Sequence, residues 1–270
     1  MAGPRPGAPQ HRRRGLVTAT TITRLHPAPP QVGGALTLDD LIELHAPRDR
    51  ATPRVRANFV ASVDGSATAA GRTRDLGGPA DLLVFDLLRR LCDVVVVGAG
   101  TVRDEGYGPM RLGDDAVAWR RAAGLPDHPV FAIVSGSLGL DPTSGVFADA
   151  PVRPVVLTHD GAPRDARARL DEVADVVSCG RDRVDPRLLV RALTERGLPQ
   201  IHTEGGPALF GDLVAADVVD ELCLTVSPNL EGGAGPRIVA AREAMALKGL
   251  SLDHVLLSGD MLLTKWSRRR

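Results

Sequence analysis

Four consecutive valines, Val94–Val97, run directly into Gly98-Ala99-Gly100-Thr101, and this junction constrains the fold more than any other stretch of the chain. A β-branched run without polar alternation suits a strand covered on both faces, the condition of a parallel sheet lined by helices. Glycines at its carboxyl end let the backbone bend sharply where ligands bind in such sheets. The strict Gly-x-Gly-x-x-Gly spacing is absent, so taken alone the turn suits a strand-to-helix connection as well as a cofactor loop.

The same grammar extends in both directions. Val55–Val63 reads as a strand ending in an Asp64-Gly65 turn, and Pro79–Leu91 as an amphipathic helix with proline in its first turn. Strands are expected at Val130–Val134, Val155–Thr158, Val173–Ser178 and Gln200–Thr203, with helices at Asp165–Leu170 and Pro186–Arg196. After Asp220, Leu222, Leu224 and Val226 alternate with Cys223 and Thr225, and Val255–Leu257 faces Met261–Thr264 across Ser258-Gly259-Asp260. These patterns predict an α/β fold: a mostly parallel, doubly wound central sheet with antiparallel C-terminal strands along its edge. Residues 1–15 read as a disordered tail, 16–54 as an N-terminal extension and 55–270 as one domain. Within the extension, a short helix over 37–45 takes Thr37 as its N-cap, and an extended arm through Pro27, Pro29 and Pro30 precedes it.

Several functional classes are disfavoured by composition. The 270 residues carry 33 basic and 33 acidic side chains, so no global field attracts nucleic acid or an anionic membrane. No apolar run approaches the roughly 20 residues of a membrane-spanning helix. Met1 to Gly15 supplies no secretory apolar stretch, and Cys92, Cys179 and Cys223 are scattered through apolar runs. A cytoplasmic protein without a metal is expected, because neither the cysteines nor the seven histidines show ligand spacing.

A second glycine turn has a stronger physical case. His202-Thr203-Glu204-Gly205-Gly206-Pro207-Ala208-Leu209 closes a buried strand and opens a helix. Gly205 and Gly206 leave backbone N–H groups uncovered beside the positive end of the helix dipole, which suits a pyrophosphate. Glu204 places a carboxylate at the same edge. The plainer alternative is a helix start whose glycines only relieve packing. A third element, Ala61-Ser62-Val63-Asp64-Gly65, is an ordinary turn pair whose Ser62 and Asp64 are also candidates for the cleft that holds Glu204.

Taken in order, Asn58 with Ala61-Ser62-Val63-Asp64-Gly65, Leu87-Leu88-Arg89, Val97-Gly98-Ala99-Gly100-Thr101-Val102, Thr203-Glu204-Gly205-Gly206-Pro207 and Val219-Asp220-Glu221-Leu222 resemble the pyrimidine reductases of riboflavin biosynthesis. The resemblance covers about Arg56 to Trp266. It implies a dihydrofolate reductase-like fold and NADPH-dependent reduction of the ribosyl group of 5-amino-6-(5-phosphoribosylamino)uracil, or its diaminopyrimidine precursor, by hydride transfer to C1′. By position, cofactor contacts fall on Val60, Gly98, Gly100, Thr101, Glu105, Gly205, Gly206, Pro207, Ala208 and Leu209. Substrate contacts fall on Asn58, Ser62, Thr73, Arg89, Arg111 and Glu204, with Arg89 suited to grip a phosphate. Asp64 and Glu204 are the candidate catalytic carboxylates, with an ordered water as another proton source.

Two segments depart from the family pattern: Arg103-Asp104-Glu105-Gly106-Tyr107-Gly108-Pro109-Met110-Arg111 after the first glycine turn, and Gly71-Arg72-Thr73-Arg74-Asp75. The cofactor side is thus better retained than the substrate side. Reduction of a pterin such as dihydrofolate, and a non-catalytic NADPH-binding relative, are the competing readings. The zinc deaminase half of many bacterial members needs His-x-Glu and Pro-Cys-x-x-Cys, and no cysteine precedes Val55, so no deaminase activity is expected. A homodimer is expected from the family and from the Glu221–Ser227 strand and the terminal hairpin, read as exposed sheet edges.

Overall fold

The computed structural model describes residues 20–28 and 34–269, so the tail expected over residues 1–15 lies outside the described residues. The chain opens with β1 (Thr23–His26) and α1 (Leu38–His45). Thr37 caps α1 reciprocally: Asp40 N donates to Thr37 Oγ1 at 3.2 Å, and Thr37 N donates to the Asp40 carboxylate at 2.7 Å. β2 (Arg54–Ser62) leads to α2 (Pro79–Leu91), whose proline stands where a helix needs no N–H. β3 (Val94–Gly98), α3 (Ala99–Asp104), α4 (Asp114–Ala122) and β4 (Val130–Val134) follow, then the one-turn α5 (Gly145–Ala148). The remainder is β5 (Val155–Thr158), α6 (Arg164–Asp171), β6 (Asp175–Ser178), α7 (Pro186–Thr194), β7 (Gln200–Gly205), α8 (Pro207–Ala215), β8 (Glu221–Ser227), β9 (Leu250–Ser258) and β10 (Met261–Arg268).

All ten strands share one sheet in the order β1-β9-β10-β8-β2-β7-β3-β4-β5-β6. From β8 to β6 every pairing is parallel, and from β1 to β8 every pairing is antiparallel. The valine run explains the double covering. Val95 and Val97 pack with Phe131, Ile133, Val102 and Leu170 on one face, while Val94 and Val96 pack with Leu189, Leu193 and Ile201 on the other. Successive side chains point to opposite faces of a strand, so only an all-apolar sequence satisfies both layers. Ile22 and Leu41 of the N-terminal segment enter a third cluster with Leu87, Leu88 and Leu91 of α2 and with Leu256 and Leu263 of the hairpin.

Some expectations are corrected. The Glu221–Ser227 strand is not an edge: β8 is paired on one side with β2 and on the other with β10, and the outer strands of the described sheet are β1 and β6. The strand expected from Val173 begins at Asp175, because Val173 N and Ala174 N both turn back to Leu170 O and finish the preceding helix. The first glycine turn, by contrast, is the strand-to-helix connection that its sequence allowed, with Gly98 extended at φ −70° and ψ 140° as the N-cap of α3. What matters for the site is the neighbourhood of three parallel strands. β2, β7 and β3 lie side by side, so Ser62, Gly205 and Gly98 end on the same sheet edge.

Candidate active site

A cavity of about 650 Å³ opens at that edge, bounded by α2, by the loop carrying Thr68 to Gly77, by Asp104 to Met110 and by the start of α8. Its deepest charged group is Glu204, 8% exposed, near the end of β7. Arg89, from the last turn of α2, meets it with two parallel bonds: Nε to Oε1 at 2.6 Å and Nη2 to Oε2 at 2.7 Å. Tyr107 Oη donates to the same Oε2 at 2.8 Å. The guanidinium carbon also lies 4.1 Å above the centre of the Phe85 ring, one helical turn earlier in α2. Burial opposes the arginine's charge, but the paired carboxylate outweighs it and holds the Arg89 pKa above its ordinary value. Burial, followed by the adjacent Glu204 charge, pushes the Tyr107 phenol pKa up. Tyr107 is therefore a neutral donor at physiological pH.

Behind this trio stands His202, two residues earlier in β7 and so on the same face of the strand. Its Nε2 lies 3.7 Å from Glu204 Oε1, and neither ring nitrogen has a hydrogen-bond partner among the described residues. Burial pulls the His202 pKa down to about 4, so the ring is uncharged at neutral pH.

The two glycine turns meet beside Glu204. A Cβ on Gly98 would stand 3.8 Å from both Gly205 O and Gly206 N. Gly205 has φ +90°, and a Cβ there would come within 2.7 Å of the Phe59 ring, so both its conformation and its space require glycine. A Cβ on Gly206 would lie 2.4 Å from Thr101 Oγ1, which makes the Gly206–Thr101 approach possible only without a side chain. Gly206 is also the N-cap of the nine-residue α8, whose first turn no side chain caps. Open backbone donors at a helix start fit a pyrophosphate.

The residues expected from the sequence divide into those that reach the cavity and those that do not. Asn58, Val60, Thr73, Arg89, Thr101, Glu105, Glu204, Gly206 and Pro207 line it. Thr73 and Glu105 are tied together there, with Thr73 Oγ1 donating to Glu105 Oε1 at 2.6 Å and Thr73 N at 3.1 Å. Gly98, Gly100 and Gly205 shape the turns without lining the cavity; Ala208 is exposed on α8, and Leu209 packs against the core.

Asp64 does not share the cleft with Glu204. Its carboxylate accepts from Ser62 Oγ, from Glu231 N at 3.2 Å and from Gly232 N at 2.8 Å, which pins the 231–232 loop. These bonds, led by that from Ser62, hold its pKa down at about 2. Ser62 is buried and accepts from Ser66 N at 2.9 Å, closing the turn. Arg111 points away, donating to Asp149 O at 3.1 Å. The phosphate role expected of Arg89 is also revised, because two of its donors are occupied by Glu204.

Sequence reasoning missed Tyr107, Phe85 and Asp81. Tyr107 is the chain's single tyrosine and lies in the segment that departs from the family pattern, which was the available signal. Phe85 and Asp81 share the cavity-facing side of α2 with Arg89, a four-residue spacing visible in the sequence once Arg89 is singled out.

The fold and the site define a dihydrofolate reductase-like α/β protein with its ligand cavity at the carboxyl edge of the sheet. A family model, the RibD C-terminal domain, matches residues 53–262, and the chain belongs to that family. The 2,5-diamino-6-ribosylamino-4(3H)-pyrimidinone 5′-phosphate reductase of Methanothermobacter thermautotrophicus is 31% identical over 196 residues, covering 72% of this chain and 86% of the relative. The protein of the same name from Archaeoglobus fulgidus is 26% identical over 209 residues, covering 77% and 94%. A pyrimidine reductase-like protein of Corynebacterium diphtheriae superimposes with a TM-score of 0.79 at 26% identity, over 87% of this chain and 100% of that one.

Proposed function

We propose that the chain is an NADPH-dependent reductase that converts the ribosyl group of a ribosylaminopyrimidine 5′-phosphate to a ribityl chain. The observation that carries this reading is the shared cavity. Glu204, fixed by Arg89 and Tyr107, and the uncapped helix start at Gly206, closed by Thr101, border one space of about 650 Å³. A polar substrate end and an anion-binding end thus share one cavity, as the simultaneous binding of substrate and cofactor requires.

Gly206, Pro207, Thr101, Val60 and Glu105 would hold the cofactor, whose nicotinamide supplies the hydride. The chain's own task is to position. With two oxygens and about four acceptor sites, Glu204 keeps capacity for a substrate hydroxyl or amine after its three bonds to Arg89 and Tyr107. Phe59, Phe85, Leu82 and Met110 supply the apolar walls that exclude water around a planar ring. Arg74, exposed on the cavity wall and loosely paired with Asp75 at 4.0 Å, is the arginine available for the substrate phosphate.

Preference for NADPH over NADH, a cytoplasmic location and a homodimer complete the proposal. Cys92, Cys179 and Cys223 are buried free thiols, in keeping with a reducing compartment, and no helix among the described residues is long and apolar enough to cross a membrane. Exposed Val63, Leu82, Leu230 and Leu247 offer apolar surface to a second copy, which sedimentation would detect. The decisive assay compares NADPH oxidation with a ribosylaminopyrimidine 5′-phosphate and with dihydrofolate. Turnover on the pyrimidine with little on dihydrofolate supports the reading. Comparable turnover on dihydrofolate overturns it, and tight NADPH binding without oxidation favours a non-catalytic relative.

A further inference from the structure

We infer that the chain carries a second ligand site, remote from the reductase cavity, where Arg24, His254 and Lys265 hold a small oxyanion of the phosphate class between α1 and strands β1, β9 and β10. This site stands apart from the reductase reading, and either can fail without the other.

A second cavity, of about 660 Å³, matches the first in size but opens at the opposite edge of the sheet. Arg54 and Glu221, which begin the parallel strands β2 and β8, border it, whereas the reductase cavity takes Asn58 to Val60 from further along β2. From Arg54 to Val60 the strand extends about 20 Å. β1 contributes Arg24 to the second cavity, α1 contributes Leu44, β9 His254 and β10 Lys265.

Four cationic and four acidic side chains border this space among the described residues, so formal charge alone selects no ligand. Hydrogen-bond saturation does. The Glu221 carboxylate accepts from Arg54 and, at 2.7 Å, from Arg56 Nε. Asp40 accepts from Thr37 N and Thr37 Oγ1 in the α1 cap, Asp253 accepts from Ser267 Oγ at 2.6 Å, and Glu43 is exposed.

The donors are less well served. Lys265 is 8% exposed, yet its ammonium reaches Leu44 O only at 3.4 Å, Glu221 at 3.5 Å and Asp253 at 4.0 Å, all longer than an ordinary hydrogen bond. Arg24 Nε is shut off from solvent with no hydrogen-bond partner. His254 is 3% exposed and packs edge-on against His45, with ring centres 4.9 Å apart. Neither of its ring nitrogens makes a hydrogen bond among the described residues. Burial, then the Lys265 charge, brings its pKa down to about 4, so at neutral pH it offers one N–H rather than a charge. Arg48, exposed at the rim, has no ion pair among the described residues.

Buried polar groups are hydrogen-bonded as a rule, so this set of donors calls for a ligand with several acceptor oxygens. A phosphate-class oxyanion supplies them: the Arg24 fork takes two oxygens, and the ammonium and the imidazole N–H take others. The volume leaves room for an organic body on that oxyanion, since small-molecule pockets span about 300–1,000 Å³.

The test is NMR of the His254 Cε1–H resonance, assigned by its loss in His254→Phe, during titration with inorganic phosphate at fixed pH and ionic strength. This readout is local, so phosphate bound in the reductase cavity does not contribute to it. The resonance should move saturably with half-saturation at about 1 mM. Arg24→Met should raise that concentration about 10-fold, the scale of a lost charge-assisted bond. Arg48→Met, a change at an exposed side chain, should raise it about 3-fold and decides the matter if Arg24→Met does not fold. Both variants should keep the kcat/KM of the wild type in phosphate-free buffer. A resonance that stays in place up to about 50 mM phosphate, or that moves at the wild-type concentration in the folded variants, overturns the inference.

Discussion

Arg89 and Glu204 face each other through two parallel hydrogen bonds, Nε to Oε1 at 2.6 Å and Nη2 to Oε2 at 2.7 Å, at the point where α2 meets the end of β7. The pair joins elements 115 residues apart in sequence and fixes the buried Glu204 carboxylate in the cavity wall. Removing either partner strands the other. Arg89→Met and Glu204→Gln should each destabilise the protein by about 3 kcal/mol, as for a broken buried pair. Together they should cost clearly less than the sum, with a coupling of about 2 kcal/mol in urea unfolding. Additive losses would mean that the pair is not an energetic unit.

The approach of the two glycine turns gives a second expectation. Gly206→Ala places a methyl 2.4 Å from Thr101 Oγ1, so the hydroxyl must rotate out of position. NADPH affinity should fall about 10-fold with a stability loss of about 1 kcal/mol. Calorimetric titration checks the first and thermal unfolding the second. Unchanged affinity would make the turn purely structural.

Asp64 should prove dispensable for the chemistry. It braces the 231–232 loop and does not line the cavity, so Asp64→Asn should leave kcat/KM within about 3-fold of wild type. A loss of 100-fold or more would return Asp64 to the catalytic centre.

Buried histidines set the acid stability. Burial depresses His202 and His254 to about 4 and His45 to about 3, against an ordinary 6.5. The unfolded chain therefore binds more protons than the folded one below pH 6.5. Stability is fully present above that value and falls as pH is lowered, by about 6 kcal/mol for the three histidines between pH 7 and 5. Glu221, which burial would raise but which Arg56 and Lys265 bring down to about 2, loses its contribution only below about pH 4.5. Asp81 and Asp86, raised by burial, act with the opposite sign. Urea midpoints across pH 5 to 7 test this, and His202→Leu should flatten the slope by about a third. A flat profile in the wild type would contradict the account.

The sheet was largely readable because its signals are local. The Val94–Val97 run, the Pro79 helix start and the 258–260 hairpin turn each carry their own periodicity or turn chemistry, and each falls where expected. The place of β8 was not readable. Its alternation indicates one apolar face but not which neighbours complete the backbone ladder, and those neighbours come from opposite ends of the chain. The site follows the same division. Glu204 and Gly206 stand in one segment with a recognisable physical pattern. Tyr107, Phe85 and Asp81 become site residues only when α2 and the segment after α3 close over β7, an arrangement without a local signature. The misplacement of Asp64 has the same origin: a strand-end carboxylate turns toward the cleft or toward a distant loop, and the loop at Glu231 decides it.

The most direct test of the reductase account follows the hydride itself. NADPH deuterated at the nicotinamide C4 on either face, incubated with the diaminopyrimidinone ribosylamino 5′-phosphate, should yield a ribityl product carrying one deuterium at C1′ from one of the two labelled cofactors, as read by mass spectrometry and NMR. A product without deuterium from either cofactor, or no ribityl product while NADPH is bound, would contradict it.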